Sequence, residues 1–244
     1  RDGLLNGRRD RVRIEESAVF SWVPSLTPVC RQSLFSGLPP LLFPETLDRT
    51  DKDAARWQTF WESNAELLPA QVHHQLLSGQ KSDLGALSAS LGAKIKALGL
   101  TISKPDTIMH GSTLGWAGWH QQLKLWNNET SFMTALIDRL LNDGFTVCLS
   151  ADHGNLEAIG TGKINDGVMA ENRGQRVRVY PQQPLRDSAF ERRAQHCEKF
   201  DAGFLPAGFH PLYSKGRRAF VKEGEIVVAH GGLSLDELLV PWIV

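Results

Sequence analysis

Thr146-Val-Cys-Leu-Ser-Ala-Asp152-His153-Gly154 is an apolar run that stops abruptly at an adjacent carboxylate and imidazole. Val147 and Leu149 read as a buried strand, with Cys148 a small buried hydrophobe between them. Ser-Ala-Asp-His-Gly is then the exit from the sheet. In open α/β sheets, ligands bind beyond the carboxyl ends of strands, where these side chains would be displayed. Asp supplies a hard oxygen and His a borderline nitrogen, a pair suited to a zinc-like ion. The stretch points to an α/β fold with chemistry at a strand exit.

Two further histidines raise the weight of that reading. In Asp106-Thr-Ile-Met-His110-Gly111 the carboxylate and imidazole are four residues apart, on one face if the segment is helical. Ile226-Val-Val-Ala-His230-Gly231-Gly232 is another apolar strand ending in His and two permissive glycines. An exposed loop Asp and a hydrogen-bonded structural His are the ordinary readings of each motif alone. Three such histidines, two with partner carboxylates, favour a metal centre.

Phe20-Ser-Trp-Val-Pro24-Ser-Leu-Thr27-Pro28 leads into a helical pattern closed by Gly37. Thr as N-cap, Pro at the first helical position and Gly past the end form a complete helix signature. The same geometry serves chemistry. A hydroxyl at a helix N-terminus sits where phosphate is attracted, and a metal could make it a nucleophile.

Strand and helix patterns alternate along the remainder, as α/β proteins require. Residues 52–64 read as a helix with Trp57, Phe60 and Trp61 as its apolar stripe, and 84–98 and 128–141 as further helices. Residues 111–120, rich in Gly and Trp, are expected to pack closely beneath the site, and His120 is no ligand. His73-His74, without a carboxylate, is incidental. Residues 177–180 alternate like a strand, 188–197 form a charged helix, and 200–215 are loop-like. Residues 219–221 and 226–229 suggest a hairpin, and 233–238 a short helix.

The 244 residues suffice for one large α/β domain, 1–244, with 40–104 the least certain part. Lys and Arg total 27 and Asp and Glu 27, so no global field draws the chain to nucleic acid or membrane. Arg8, Arg9, Arg11 and Arg13 form one local basic cluster, best read as a solvated surface. Arg173, Arg176 and Arg178 form a second, after a polar Gly-containing loop, and could meet an anionic substrate. Cys30, Cys148 and Cys197 lack CxxC spacing and favour a reducing cytoplasm. No apolar run approaches the roughly 20 residues needed to span a bilayer.

Together, Pro24-Ser-Leu-Thr27-Pro-Val-Cys-Arg31-Gln-Ser-Leu-Phe-Ser-Gly, Asp106-x-x-x-His110-Gly, Ser-Ala-Asp152-His153-Gly and His230-Gly-Gly-Leu-Ser-Leu-Asp-Glu-Leu resemble the alkaline phosphatase superfamily. The first and last motifs resemble its PglZ branch, the hydrolase component of BREX-type phage-defence systems. The resemblance implies an alkaline-phosphatase-like sandwich: a mostly parallel central sheet flanked by helices, with 40–104 a largely helical insertion. It implies two divalent metal ions, zinc first, one held by Asp106, His110 and His230 and the other by Asp152 and His153. Thr27 would be the nucleophile, and Arg31, Arg173 and Arg176 would meet the substrate phosphate.

The family normally adds one more Asp at the end of the first strand. Asp2 and Asp10 do not fill that place convincingly, and the chain begins with Arg, so it reads as a fragment whose first strand precedes residue 1. The implied function is a cytoplasmic metal-dependent phosphodiesterase. Its substrate would be a phosphoester, including nucleic acid without base readout, and its partners other defence proteins, with no membrane. A phosphomonoesterase and a catalytically impaired, metal-stabilised docking module are the alternatives. A phosphoglycerate-type mutase shares Ala-Asp-His-Gly-Asn and Glu157 but lacks a matching serine motif.

Overall fold

The computed structural model describes residues 13–92, 94–111, 115–165 and 174–244, without the side chains of Ser90 and His110. Asp2, Asp10, Arg8, Arg9, Arg11, Arg173 and the His110 side chain therefore lie outside the described residues. The chain opens with β1 (Glu16–Phe20), α1 (Thr27–Ser36), α2 (Asp53–Ala65), β2 (Val72–Leu77), α3 (Lys81–Ser90) and β3 (Ala97–Ile102). There follow α4 (Lys104–Gly111), α5 (Gly115–Thr130), α6 (Phe132–Asn142), β4 (Leu149–Ser150), β5 (Leu156–Gly160) and β6 (Val177–Tyr180). The last elements are α7 (Gln183–Glu191), β7 (Cys197–Lys199), β8 (His210–Ser214), β9 (Arg218–Ala219), β10 (Ile226–Ala229), α8 (Leu235–Leu238) and β11 (Leu239–Ile243). They form two compact units, Arg1–Val19 with Trp61–Ala151 and Pro241–Val244, and Phe20–Phe60 with Asp152–Val240.

The first unit is built on α6, whose Phe132, Leu136, Ile137 and Leu140 are buried at helical spacing. Phe132, Leu136 and Leu140 pack with Leu77, Leu87, Ile108 and Trp126. Burying each such side chain contributes roughly 1.5–3 kcal/mol before chain entropy is counted. Trp126 Nε1 donates to the Gly79 carbonyl at 2.9 Å, so the indole is buried without an orphan donor. Strands β2 and β3 pair in parallel, Val72 opposite Ala97 through Leu77 opposite Ile102. The Gly- and Trp-rich segment opens helix α5, with Trp119 Nε1 donating to the Pro105 carbonyl at 3.2 Å within this unit.

Three expectations need correction here. The helix expected at 84–98 ends at Ser90, and alternating residues from Ala97 form β3. The helix expected at 128–141 is broken at Ser131, which adopts the left-handed region with φ 50°. The strand before Asp152 keeps only Leu149 and Ser150, at the edge of a sheet ordered β1-β11-β4, and Cys148 is exposed. Val147 and Leu149 are only half-buried and Cys148 precedes the strand, so this apolar run does not mark a buried core strand.

The second unit holds two three-stranded sheets. β5 pairs antiparallel with β10 and parallel with β9, so it lies between the two strands expected to form a hairpin. β8 is the central strand of an antiparallel sheet with β6 and β7, where the sequence reads as loop. The helix expected at 188–197 starts earlier, at Gln183 with Pro184 in its first turn, and Cys197 already belongs to β7. Leu26, Val29 and Cys30 pack with Phe43, Leu47, Val177 and Tyr213 beneath α1. Gly37 ends α1 at φ 68°, its N–H bonded to the Ser33 carbonyl at 2.8 Å.

The fold is α/β, but the expected mostly parallel central sheet is replaced, among the described residues, by small and mostly antiparallel sheets. Only β2–β3 and β5–β9 pair in parallel there. Short apolar runs signal buried strands without encoding their direction, which is why pattern reading errs on this point. No helix among the described residues is long and apolar enough to cross a membrane.

Candidate active site

The second unit brings Thr27, Asp152, His153 and His230 to neighbouring positions. Thr27 is the first residue of α1 and Leu26 is the N-cap, without a side-chain capping bond. The Thr27 hydroxyl is therefore not the cap that the sequence pattern suggests. Its Oγ1 lies 3.0 Å from His153 Nε2. His153 in turn turns Nδ1 to the Gly154 carbonyl at 2.9 Å, which in the neutral ring leaves the lone pair on Nε2. Asp152 Oδ1 accepts the His153 backbone N–H at 3.1 Å, and Oδ2 lies 3.9 Å from His153 Nε2.

His230 is fully buried at the exit of β10. Its Nδ1 is 2.8 Å from the Ser25 carbonyl, the same arrangement seen at His153. The two imidazoles stack, with centroids 4.1 Å apart and planes 20° from parallel. Local packing requires the glycine of the Asp-His-Gly stretch. A Cβ on Gly154 would lie 2.0 Å from the Asp236 carbonyl oxygen, and the Gly154 N–H donates to the Glu237 carbonyl at 2.7 Å.

This donor set suits a zinc-like ion in kind. Two imidazoles are oriented by carbonyls behind them, and a carboxylate lies alongside. Among the described residues, no group of three or more His, Cys, Asp or Glu side chains converges to hold a metal. Asp106 is exposed on α4 in the first unit.

The predicted phosphate contacts differ in their surroundings. Arg31 lies one turn after Thr27 on α1, and its Nε donates to Asp53 Oδ2 at 2.6 Å. One guanidinium donor of five is used by that bond. Burial pushes the Asp53 carboxyl up, and the adjacent Arg31 only partly offsets it. Arg176 is only 1% exposed and its Nε donates to Glu237 Oε1 at 2.9 Å, so it faces the interior and not a substrate. Arg178 is buried too, with its guanidinium over the Phe220 ring.

Sequence reading missed Ser25, Asp53 and Glu237. For Glu237 a signal existed: Ser234-Leu-Asp-Glu237 has the spacing of a capping box, and both reciprocal bonds form. Its bonds to Gly232 and Arg176 leave no local trace in the sequence.

Among curated proteins, none matches the chain. A match to the family described as the BREX system PglZ alkaline phosphatase-like domain covers residues 4–244. It takes in the motifs that supply Thr27, Asp152, His153 and His230, and it bears out the resemblance they carry. The chain therefore belongs to the PglZ family of alkaline phosphatase-like domains from BREX systems.

Proposed function

We propose that this chain is a metal-dependent phosphoester hydrolase of a phage-defence system, with Thr27 as nucleophile and a phosphodiester as substrate. The observation that carries the reading is the Thr27 hydroxyl at the start of α1, 3.0 Å from His153 Nε2. Asp152 with His153, and separately His230, would hold divalent metal, which would lower the hydroxyl pKa and neutralise charge on the phosphoryl oxygens. Asp106 and His110 carry a ligand role by family resemblance alone.

The chain's own groups account for the remaining steps. With its Nδ1 committed to the Gly154 carbonyl, His153 has only the Nε2 lone pair for a metal. The proton of the Thr27 hydroxyl, whose Oγ1 lies 3.0 Å from that nitrogen, would therefore leave to water as the hydroxyl ionises. Oγ1 then bonds to phosphorus as the bond to the leaving oxygen breaks, and that oxygen takes a proton from water. The N-terminus of α1 places partial positive charge beside the transferring group. Arg31, one turn along the helix and oriented by Asp53, offers its remaining N–H groups to a phosphoryl oxygen. Water then cleaves the phospho-threonine and restores the hydroxyl.

Nothing in these residues reads a base edge, so a nucleic-acid substrate would be taken without sequence selection. Other proteins of the defence system are the expected partners, and three free thiols favour the reducing cytoplasm.

The test is hydrolysis of bis-p-nitrophenyl phosphate and p-nitrophenyl phosphate by the chain with added Zn²⁺ or Mn²⁺. Turnover that a chelator abolishes, with a phosphate trapped on Thr27 by mass spectrometry, supports the reading. Faster hydrolysis of the monoester would reassign the substrate. No turnover of either ester by metal-loaded, folded protein rejects the enzyme and favours a docking module.

A further inference from the structure

One residue ties together the segments that carry the proposed site. Glu237 is completely buried, and its carboxylate meets a full set of donors. Oε1 accepts the Gly232 N–H at 2.7 Å and Arg176 Nε at 2.9 Å, while Oε2 accepts the Ser234 hydroxyl at 2.7 Å and its N–H at 3.1 Å. Ser25 links this group to the helix start. Its hydroxyl accepts the Gly231 N–H at 2.9 Å and faces the Gly232 carbonyl at 3.2 Å and Glu237 Oε1 at 3.5 Å. The Ser25 carbonyl holds His230 Nδ1, and Thr27 follows two residues later. The Glu237 carbonyl also takes the Gly154 N–H, beside His153.

We propose that Glu237, held by Arg176, is a positioning residue that fixes the His230 imidazole and the start of α1 through Gly232 and Ser25. The assignment rests on the reading of His230 and Thr27 as site residues. A buried Arg–Glu pair is a poor device for stability alone, because a packed apolar pair of similar volume often serves as well or better. Its particular contribution is direction: each carboxylate oxygen fixes a backbone or side-chain donor that an apolar group would leave loose. The space is closely fitted, since a Cβ on Gly232 would lie 2.7 Å from both Arg176 Nη2 and Glu237 Oε2. The group directly behind His230 is the Ser25 carbonyl, which Glu237 steadies through Gly232 and the Ser25 hydroxyl. Loss of such an orienting group weakens metal binding by about 10- to 100-fold.

The test uses the full chain labelled with ¹⁵N-histidine, with the His230 Nδ1–H signal assigned by its loss in His230→Asn. In the double variant Arg176→Met/Glu237→Leu no buried charge is orphaned. We expect it to unfold cooperatively yet to lose or broaden the His230 signal, and to bind Zn²⁺ about 10- to 100-fold more weakly. A folded double variant with an unchanged ring signal would overturn the proposal and leave the pair as a fold contact. Should the double variant not fold, Ser25→Ala decides, because it removes one hydroxyl only. A shifted His230 signal supports positioning there, and an unshifted one rejects it. The ring signal is independent of turnover, so an inactive wild-type chain would sink the hydrolase reading without deciding this one.

Discussion

Thr27 Oγ1 and His153 Nε2 are 3.0 Å apart, although 126 residues separate them in sequence. That single contact joins a helix start to a histidine whose other nitrogen is held by its neighbour's carbonyl. If it marks a nucleophile beside a metal-binding imidazole, Thr27→Ala should lose turnover by roughly ten-thousandfold or more. Bound metal, measured by elemental analysis, should stay near the wild-type level. Thr27→Ser should retain measurable turnover, because it keeps the hydroxyl. An active Thr27→Ala would remove the residue from the chemistry.

Gly154 and Gly85 should respond in opposite directions to alanine. A Cβ at Gly154 meets the Asp236 carbonyl oxygen, so the loop bearing His153 must move. We expect Gly154→Ala to cost about 1–3 kcal/mol in denaturant unfolding. Gly85 lies inside α3 with nothing within 4 Å of its would-be Cβ. Gly85→Ala should stabilise by about 0.5–1 kcal/mol, because alanine loses less backbone freedom in a helix.

Asp53 gives a pH signature. Burial raises its carboxyl above the ordinary 3.8, with Arg31 pulling the other way. A carboxyl raised in the folded state holds its proton longer there than in the unfolded chain. Its favourable contribution is full below the unfolded value and is lost as pH rises through the folded value. The stability of wild type minus that of Asp53→Asn should therefore fall with rising pH above 3.8, read as the difference in urea midpoints. A flat difference would contradict the raised carboxyl.

The three thiols should separate by accessibility. Cys148 is exposed, whereas Cys30 and Cys197 are buried. Burial pushes the Cys30 thiol far up and that of Cys197 to about 11, so neither readily forms thiolate. Cys148 is also raised by partial desolvation but remains within reach of reagent. A thiol-reactive disulfide reagent should label one cysteine per folded chain, identified as Cys148 by peptide mapping, and three after denaturation.

Local chemistry was legible wherever it acts within a few residues. Thr27-Pro28 and Gly37 bracket α1 because a rigid φ opens a helix and a left-handed residue closes it. The helix expected at 52–64 appears as α2, Asp53–Ala65, because its apolar residues recur at helical spacing. The motif order carried the family, which the match over 4–244 confirms.

What the tertiary structure alone decided is which distant atoms meet. β5 enters between β9 and β10, β4 lies at a sheet edge, Cys148 just before it is exposed, and Arg176 turns inward to Glu237 across 61 residues. Ser25 reaches His230 across 205 residues, through a backbone carbonyl that any residue type would supply. Helix and turn signals are written in short-range sterics and hydrogen bonds, so a few residues suffice to encode them. Strand order and the partner of a buried charge depend on how whole surfaces pack, and no short window of sequence contains both sides of that contact.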